Sequence, residues 1–145
     1  GVAIAVNLRE MAKLNVPIIS IITGEGCSGG ALGLAVANRV MMLEHAYYTV
    51  ISPEGCASIL WRDAARFADA AEALKITSKD LLEFDIIDEE IPEPLGGAHT
   101  NYAEVTNNMK TSIMNALDEL SKKSSEELRN ERYDKFRKMG RFVEA

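Results

Sequence analysis

Between residues 24 and 31 the chain runs Gly24-Glu25-Gly26-Cys27-Ser28-Gly29-Gly30-Ala31, a spacing that fits three chemistries. The first is dinucleotide binding: Gly24, Gly26 and Gly29 match a G-x-G-x-x-G turn, and Glu44 stands about 20 residues on, where an acid would meet a ribose hydroxyl. The second is nucleophilic hydrolysis. Gly26-Cys27-Ser28-Gly29-Gly30 matches the G-x-S-x-G elbow, and Asp88 and His99 follow Ser28 in the order such a triad requires. The third needs no reactive side chain, because main-chain N–H groups in the first turn of a helix lack intrahelical partners and can hold developing negative charge. Glycines there let a ligand approach the main chain. A purely structural role also fits: the glycines allow a helix to pack closely on a sheet, and Ser28 caps a helix that begins at Gly29.

The elements that must carry these residues discriminate among the chemistries. An apolar run, Val16 to Ile22, precedes the glycines and reads as a strand, and a small-residue run, Ala31 to Ala37, follows them as a helix. The motif therefore sits at a strand-to-helix corner. A second strand, Arg39 to Glu44, is followed almost at once by the strand-like Tyr47 to Ile51, and the two read as a strand pair. A dinucleotide-binding sheet needs a long crossover at that point, and Glu25 would place a carboxylate in its pyrophosphate loop. The hydrolase partners are also poorly placed in sequence. Asp88 belongs to an acidic run with Glu89 and Glu90, and His99 ends the turn-rich segment Pro92 to His99. A loop histidine such as His99 or His45 is more often solvated or hydrogen-bonded than a base.

With 145 residues, 47% hydrophobic and 26% charged, the chain has the size and composition of one globular domain. A net charge of −6 argues against a general nucleic-acid binder, which needs a clustered basic face. Cys27 and Cys56 are too few for a disulfide framework, and with His45 and His99 they show no metal-ligand spacing. No signal peptide and no span of about 20 apolar residues is visible, which points to a reducing, aqueous compartment. Ile4, Leu8, Met11 and Leu14 have helical spacing, yet no capping residue introduces them. The chain reads as starting inside a helix, a fragment of a longer protein.

Further along, Ser52-Pro53-Glu54-Gly55 places a capping serine, a first-turn proline and an acid ahead of a helix through Ala57, Ile59, Leu60 and Trp61. Asp63 to Leu74 is alanine-rich and helical in pattern, and Thr77 to Asp80 starts a short helix ending near Phe84. Ile86 to Asp88 with Ile91 reads as a short extended segment. Asn101 with Glu104 opens a long helix whose apolar stripe is Tyr102, Val105, Met109, Ile113, Ala116, Leu117 and Leu120. Ser124 with Glu127 opens another, whose late Lys135, Arg137 and Lys138 suit the helix dipole and are assigned to solvent. The Met109-Lys110 pair is similar to a biotin-attachment site, but it lies on a helical stripe rather than a hairpin turn.

Three stretches, Gly24 to Ala31, Val50 to Trp61 and Ile91 to His99, closely resemble the carboxyltransferase alpha subunit of bacterial and plastid acetyl-CoA carboxylase. The likeness extends from Asn7-Leu8-Arg9-Glu10-Met11 to the region of Glu131-Arg132-Tyr133, and corresponds to the carboxy-terminal half of that subunit. It implies an α/β fold, the crotonase/ClpP-like ββα superhelix, incomplete because the amino-terminal half is missing. Residues 1–100 would belong to that domain and 101–145 to a helical carboxy-terminal extension. The implied reaction moves a carboxyl group from biotin, held on the biotin carboxyl carrier protein, to acetyl-CoA, forming malonyl-CoA for fatty-acid synthesis. In the family a glycine pair presents N–H groups to the ureido oxygen of biotin; the matching positions are Gly29 and Gly30, with Gly26, Cys27 and Ser28 lining the same corner. The implied partner is a zinc-containing beta subunit in an α2β2 assembly, with no metal in this chain, in bacterial cytoplasm or plastid stroma. Where the family usually carries glycine, this chain has Cys27, and without the missing half the segment is expected to be inactive.

Overall fold

In the computed structural model, which describes residues 1–140, the first helix, α1 (Val2–Lys13), leads into β1 (Ile19–Ile22), β2 (Glu25–Cys27) and α2 (Ser28–Leu34). The next coil of chain repeats that order with β3 (Arg39–Leu43), β4 (Tyr47–Thr49) and α3 (Pro53–Trp61). After it come α4 (Phe67–Leu74), α5 (Ser78–Glu83), β5 (Glu89–Ile91), α6 (Tyr102–Leu120) and α7 (Ser125–Lys138). The local start signals act as expected. Ser52, Thr77, Asn101 and Ser124 accept hydrogen bonds from the amides of Gly55, Asp80, Glu104 and Glu127, and Glu127 completes a capping box. Between Asp63 and Leu74 the helix is interrupted, because the Asp63 carboxylate takes the Ala65 amide at 3.0 Å and forms a 3-10 turn over Ala64–Arg66.

The strand runs around Val40 and Val50 do not pair with each other, contrary to the sequence reading. Strands β1, β3 and β5 form one parallel sheet with Ile19 opposite Arg39 and Met41 opposite Glu89, whereas β2 and β4 form a second, with Cys27 opposite Thr49. The reason is the link at 44–46, which turns the chain out of the first sheet just as Thr23 and Gly24 do one coil earlier. The Tyr47 amide then reaches the Gly24 carbonyl at 3.0 Å. Each of these two coils thus gives one strand to each sheet and returns through a helix, so α2 supplies the crossover that parallel strands require. This is the superhelical arrangement implied by the resemblance.

The core lies on β3, where Val40, Met41, Met42 and Leu43 are all buried, as a central parallel strand covered on both faces demands. Helix α6 covers it with Val105 and Ala116 and also buries Leu120 at its end. Ser112, not Ile113 or Tyr102, completes that inward line, and the hydroxyl is tolerated because it donates to the Glu89 carboxylate. Of the late basic residues of α7 only Lys135 departs from expectation, and Arg132, ahead of them, is buried. Arg132 is only 2% exposed and donates to Asn38 Oδ1 at 2.8 Å and to the Leu14 carbonyl, while Lys135 pairs with Asp88. Helix α7 crosses the amino-terminal ends of β1 and β3, where loop carbonyls and the Asn38 amide group need partners; Asn38 in turn donates to the Leu128 carbonyl at 2.8 Å. Arg137 and Lys138 remain exposed.

Candidate functional site

The corner is built by three consecutive backbone conformations. Gly26, in the middle of β2, lies against Ile22 and Tyr48 so closely that a Cβ would lie 3.0 Å from Ile22 Cγ2 and 3.2 Å from Tyr48 Cδ2. Cys27, extended at φ −132°, occupies the cap position of α2. Ser28 then takes φ +60°, a left-handed conformation that L-residues adopt at a cost of about 1 kcal/mol or more. That reversal starts the helix one residue earlier than the capping role for Ser28 requires. No side chain caps α2.

Gly29 and Gly30 occupy the second and third positions of the helix, and among the described residues no recorded hydrogen bond uses either amide. Neither glycine has a positive φ. A Cβ on Gly29 would make ordinary contact with Ile4 Cδ1 at 3.6 Å, and one on Gly30 would meet nothing within 4 Å. The two halves of the motif are therefore glycine for different reasons. Gly26 is favoured by tight packing within the chain, whereas nothing inside the chain favours Gly30, although glycine weakens a helix by up to about 1 kcal/mol relative to alanine. Ser28 and Gly30 are exposed, and Cys27 and Gly29 are half-buried.

The far end of α2 is fastened from two sides. Asn7 Nδ2, on α1, donates to the Gly33 carbonyl at 2.6 Å, and Ser20 Oγ, on β1, donates to the Leu34 carbonyl at 2.8 Å. Gly33 is buried where a Cβ would come within 3.4 Å of Ile4 Cγ2. Sequence reasoning missed both donors. Their partners lie 26 and 14 residues away, with no local signal to connect them. Beyond α2 opens an apolar cavity of about 530 Å³, walled by Leu32, Ala35, Thr49, Val50 and Phe84 among others.

The hydrolase alternative fails on geometry. Asp88 stands at the start of β5, where it accepts the Val40 amide at 2.7 Å and pairs with Lys135. His99 lies in an exposed 3-10 turn over Ala98–Thr100. Neither shares a recorded hydrogen bond with Ser28 or with the other, so the triad order in sequence corresponds to no constellation in space. Glu44 likewise shares no recorded hydrogen bond with the corner and accepts the Glu93 amide at 3.3 Å. His45 is held by Glu93, whose Oε2 takes the His45 amide at 2.6 Å and lies 2.9 Å from Nδ1. Burial would raise the Glu93 pKa, but the bonds from the His45 and Ala98 amides and from the His45 ring outweigh it and hold the carboxyl below its ordinary value. Near the corner, burial and the neighbouring Glu25 carboxylate push the Tyr47 phenol upward.

Among the described residues no three His, Cys, Asp or Glu side chains are grouped to hold a metal, and no helix is long and apolar enough to cross a membrane. Lys110 lies midway along α6. What the corner offers is a pair of glycine amides with no hydrogen-bond partner among the described residues, a kind of donor suited to an oxygen that carries or develops negative charge.

Comparison with known proteins identifies the family and the fold. The family described as acetyl co-enzyme A carboxylase carboxyltransferase-like matches residues 1–140. The acetyl-coenzyme A carboxylase carboxyl transferase subunit alpha of Trichodesmium erythraeum is 58% identical over 145 residues, all of this chain and 45% of the relative. The subunit of the same name from Geobacter metallireducens is 58% identical over 142 residues, 98% of this chain and 45% of the relative. The chain thus spans a little under half the length of the curated relatives it matches. Among solved structures, transcarboxylase 12S superposes with a TM-score of 0.66 at 18% identity, covering 83% of this chain and 21% of that one. A Pseudomonas malonate decarboxylase hetero-tetramer superposes with a TM-score of 0.69 at 16% identity, covering 81% and 48%. These likenesses establish the crotonase-like α/β fold.

Proposed function

Because this chain belongs to the acetyl-coenzyme A carboxylase carboxyltransferase family, we propose that it contributes the biotin-side half of a carboxyltransferase site making malonyl-CoA from acetyl-CoA. Carboxybiotin, delivered by a separate carrier protein, would supply the carboxyl group and leave charge on its ureido oxygen. The amides of Gly29 and Gly30 would accept that oxygen, fixed donors that need no reorganisation as charge develops. Ser28 sets the direction of the turn, Cys27 occupies the cap position, and Gly26 holds the corner against Tyr48. No side-chain nucleophile or base is required of this chain.

The observation that carries the proposal is Gly30. It is a glycine that neither backbone conformation nor packing demands, at a helix start whose amides have no partner among the described residues. Donors of this kind fit a carbonyl-type oxygen of a flat ring. The remaining length of the subunit and a beta partner, zinc-containing and binding acetyl-CoA, would complete the site in an α2β2 assembly, in bacterial cytoplasm or plastid stroma.

The test is reconstitution of the complete subunit with its partner and carboxylated carrier, followed by malonyl-CoA formation. Gly29→Pro and Gly30→Pro each remove a donor and should lower kcat by at least a hundredfold, the usual loss for one oxyanion donor. Ser28→Ala should stay within a few-fold of wild type. Full activity in both proline variants would overturn the proposal.

A further inference from the structure

We infer that Asn7 and Ser20, remote from the reacting atoms, are positioning residues that aim the Gly29 and Gly30 amides; the inference rests on the carboxyltransferase reading above. The case begins with what α2 lacks. It has seven residues, a single buried one (Gly33), and no side-chain cap at its start. A helix this short does not hold itself in water, and burial of one glycine supplies little to orient it. Its amino end also hangs on Ser28 at φ +60°, a tight reversal whose direction a small torsional change would alter.

Orientation must therefore come from the other end. There the orphan carbonyls that every helix leaves are taken by two side chains from different elements, Asn7 Nδ2 to Gly33 at 2.6 Å and Ser20 Oγ to Leu34 at 2.8 Å. One donor belongs to α1 and the other to β1, so the pair restrains both tilt and rotation of α2. Ile4 supplies the third support, lying flat against the Gly29–Gly33 face where the two missing Cβ atoms allow close approach. Asn7 is itself held in place, with its Nδ2 also 3.2 Å from Met11 Sδ. At 1.5 Å per residue, the Gly30 amide lies only about 5 Å along the axis from the fastened carbonyls. A body so short transmits any tilt directly to its amides, and a misplacement of about 1 Å can cost a hundredfold in rate.

A simpler role, in which Asn7 and Ser20 merely satisfy helix carbonyls, predicts loss of stability without a change in the chemistry of the folded enzyme. The two roles separate in the complete subunit assembled with its partner. Asn7→Asp keeps the shape and removes the donor; Ser20→Ala removes a single hydroxyl. Two readouts are taken: steady-state kcat and KM for acetyl-CoA, corrected for folded fraction from thermal unfolding, and glycine-selective amide NMR on adding free biotin. Each variant should lower kcat about tenfold or more with KM for acetyl-CoA within twofold, and should shrink the biotin-induced shifts of Gly29 and Gly30. If Asn7→Asp does not assemble, Ser20→Ala decides. A wild-type response that persists in the variants, with kcat within twofold after correction, overturns the positioning role and leaves the carboxyltransferase reading standing. Absence of any response at Gly29 and Gly30 in the wild type overturns the biotin-side reading, and this inference with it.

Discussion

Replacing Gly30 by alanine sets stability against function in a way that the corner geometry makes quantitative. A Cβ at residue 30 meets nothing within 4 Å, and the backbone is already helical, so the substitution introduces no clash within the chain. It removes the conformational freedom of a helical glycine, which is worth up to about 1 kcal/mol. For the complete subunit, of which this chain matches 45% in a relative, that corresponds to a rise in Tm of about 1–2 °C. The same methyl group stands beside the amide at which biotin is proposed to bind, so kcat/KM for carboxylated carrier should fall at least about tenfold, or 1.4 kcal/mol in transition-state terms. The control is Gly26→Ala, whose Cβ would sit 3.0 Å from Ile22 Cγ2 and 3.2 Å from Tyr48 Cδ2. That overpacking should destabilise the protein by about 1–3 kcal/mol. Differential scanning calorimetry of the complete subunit, paired with malonyl-CoA formation in the reconstituted enzyme, reads both effects. A Gly30→Ala enzyme with undiminished turnover would refute the reasoning that the open side of residue 30 is where the ligand comes. A Gly30→Ala protein that melts lower than wild type would refute the packing account.

Other consequences follow from the same contacts. Ser28→Gly relieves a left-handed serine while adding backbone entropy to the unfolded chain, so stability should change by less than about 1 kcal/mol and carboxyl transfer should persist; loss of turnover specifically in this variant would restore a chemical role to the hydroxyl. Arg132→Ala leaves the Leu14 carbonyl and Asn38 Oδ1 short of a donor beneath α7, and should cost about 3 kcal/mol in urea unfolding with little change in m. The Glu93 carboxyl, 6% exposed, has a folded pKa below its unfolded value. Its contribution is therefore complete above the ordinary carboxylate range and is lost as pH falls through the folded pKa. Between pH 6 and pH 3, Tm should fall less steeply in Glu93→Gln than in wild type, from a lower starting point; parallel curves would show that the His45 and Ala98 bonds do not stabilise the carboxylate.

What the amino-acid sequence determined by itself is most of what is decided within about four residues, the 3-10 turn after Asp63 and the left-handed Ser28 excepted. The capping residues Ser52, Thr77, Asn101 and Ser124 start their helices because donor and acceptor lie three positions apart, and the strand-turn-helix corner is legible because glycine spacing and hydropathy change together there. The family likeness of the three motif stretches was legible for a related reason: it is carried by contiguous residues. What only the tertiary structure decided depends on neighbours far along the chain. Strands β3 and β4 enter different sheets because each takes as partner a strand from the preceding coil, about 20 residues away. Arg132 is buried because Asn38 and the Leu14 carbonyl, 94 and 118 residues distant, lie beneath it. Asp88 and His99 stand in triad order yet apart, since order along a chain carries no distance. Within the corner, Gly26 and Gly30 are the same letter four positions apart. One faces Tyr48 and the other faces open space, and that difference belongs to what folds against each residue, which no local pattern encodes.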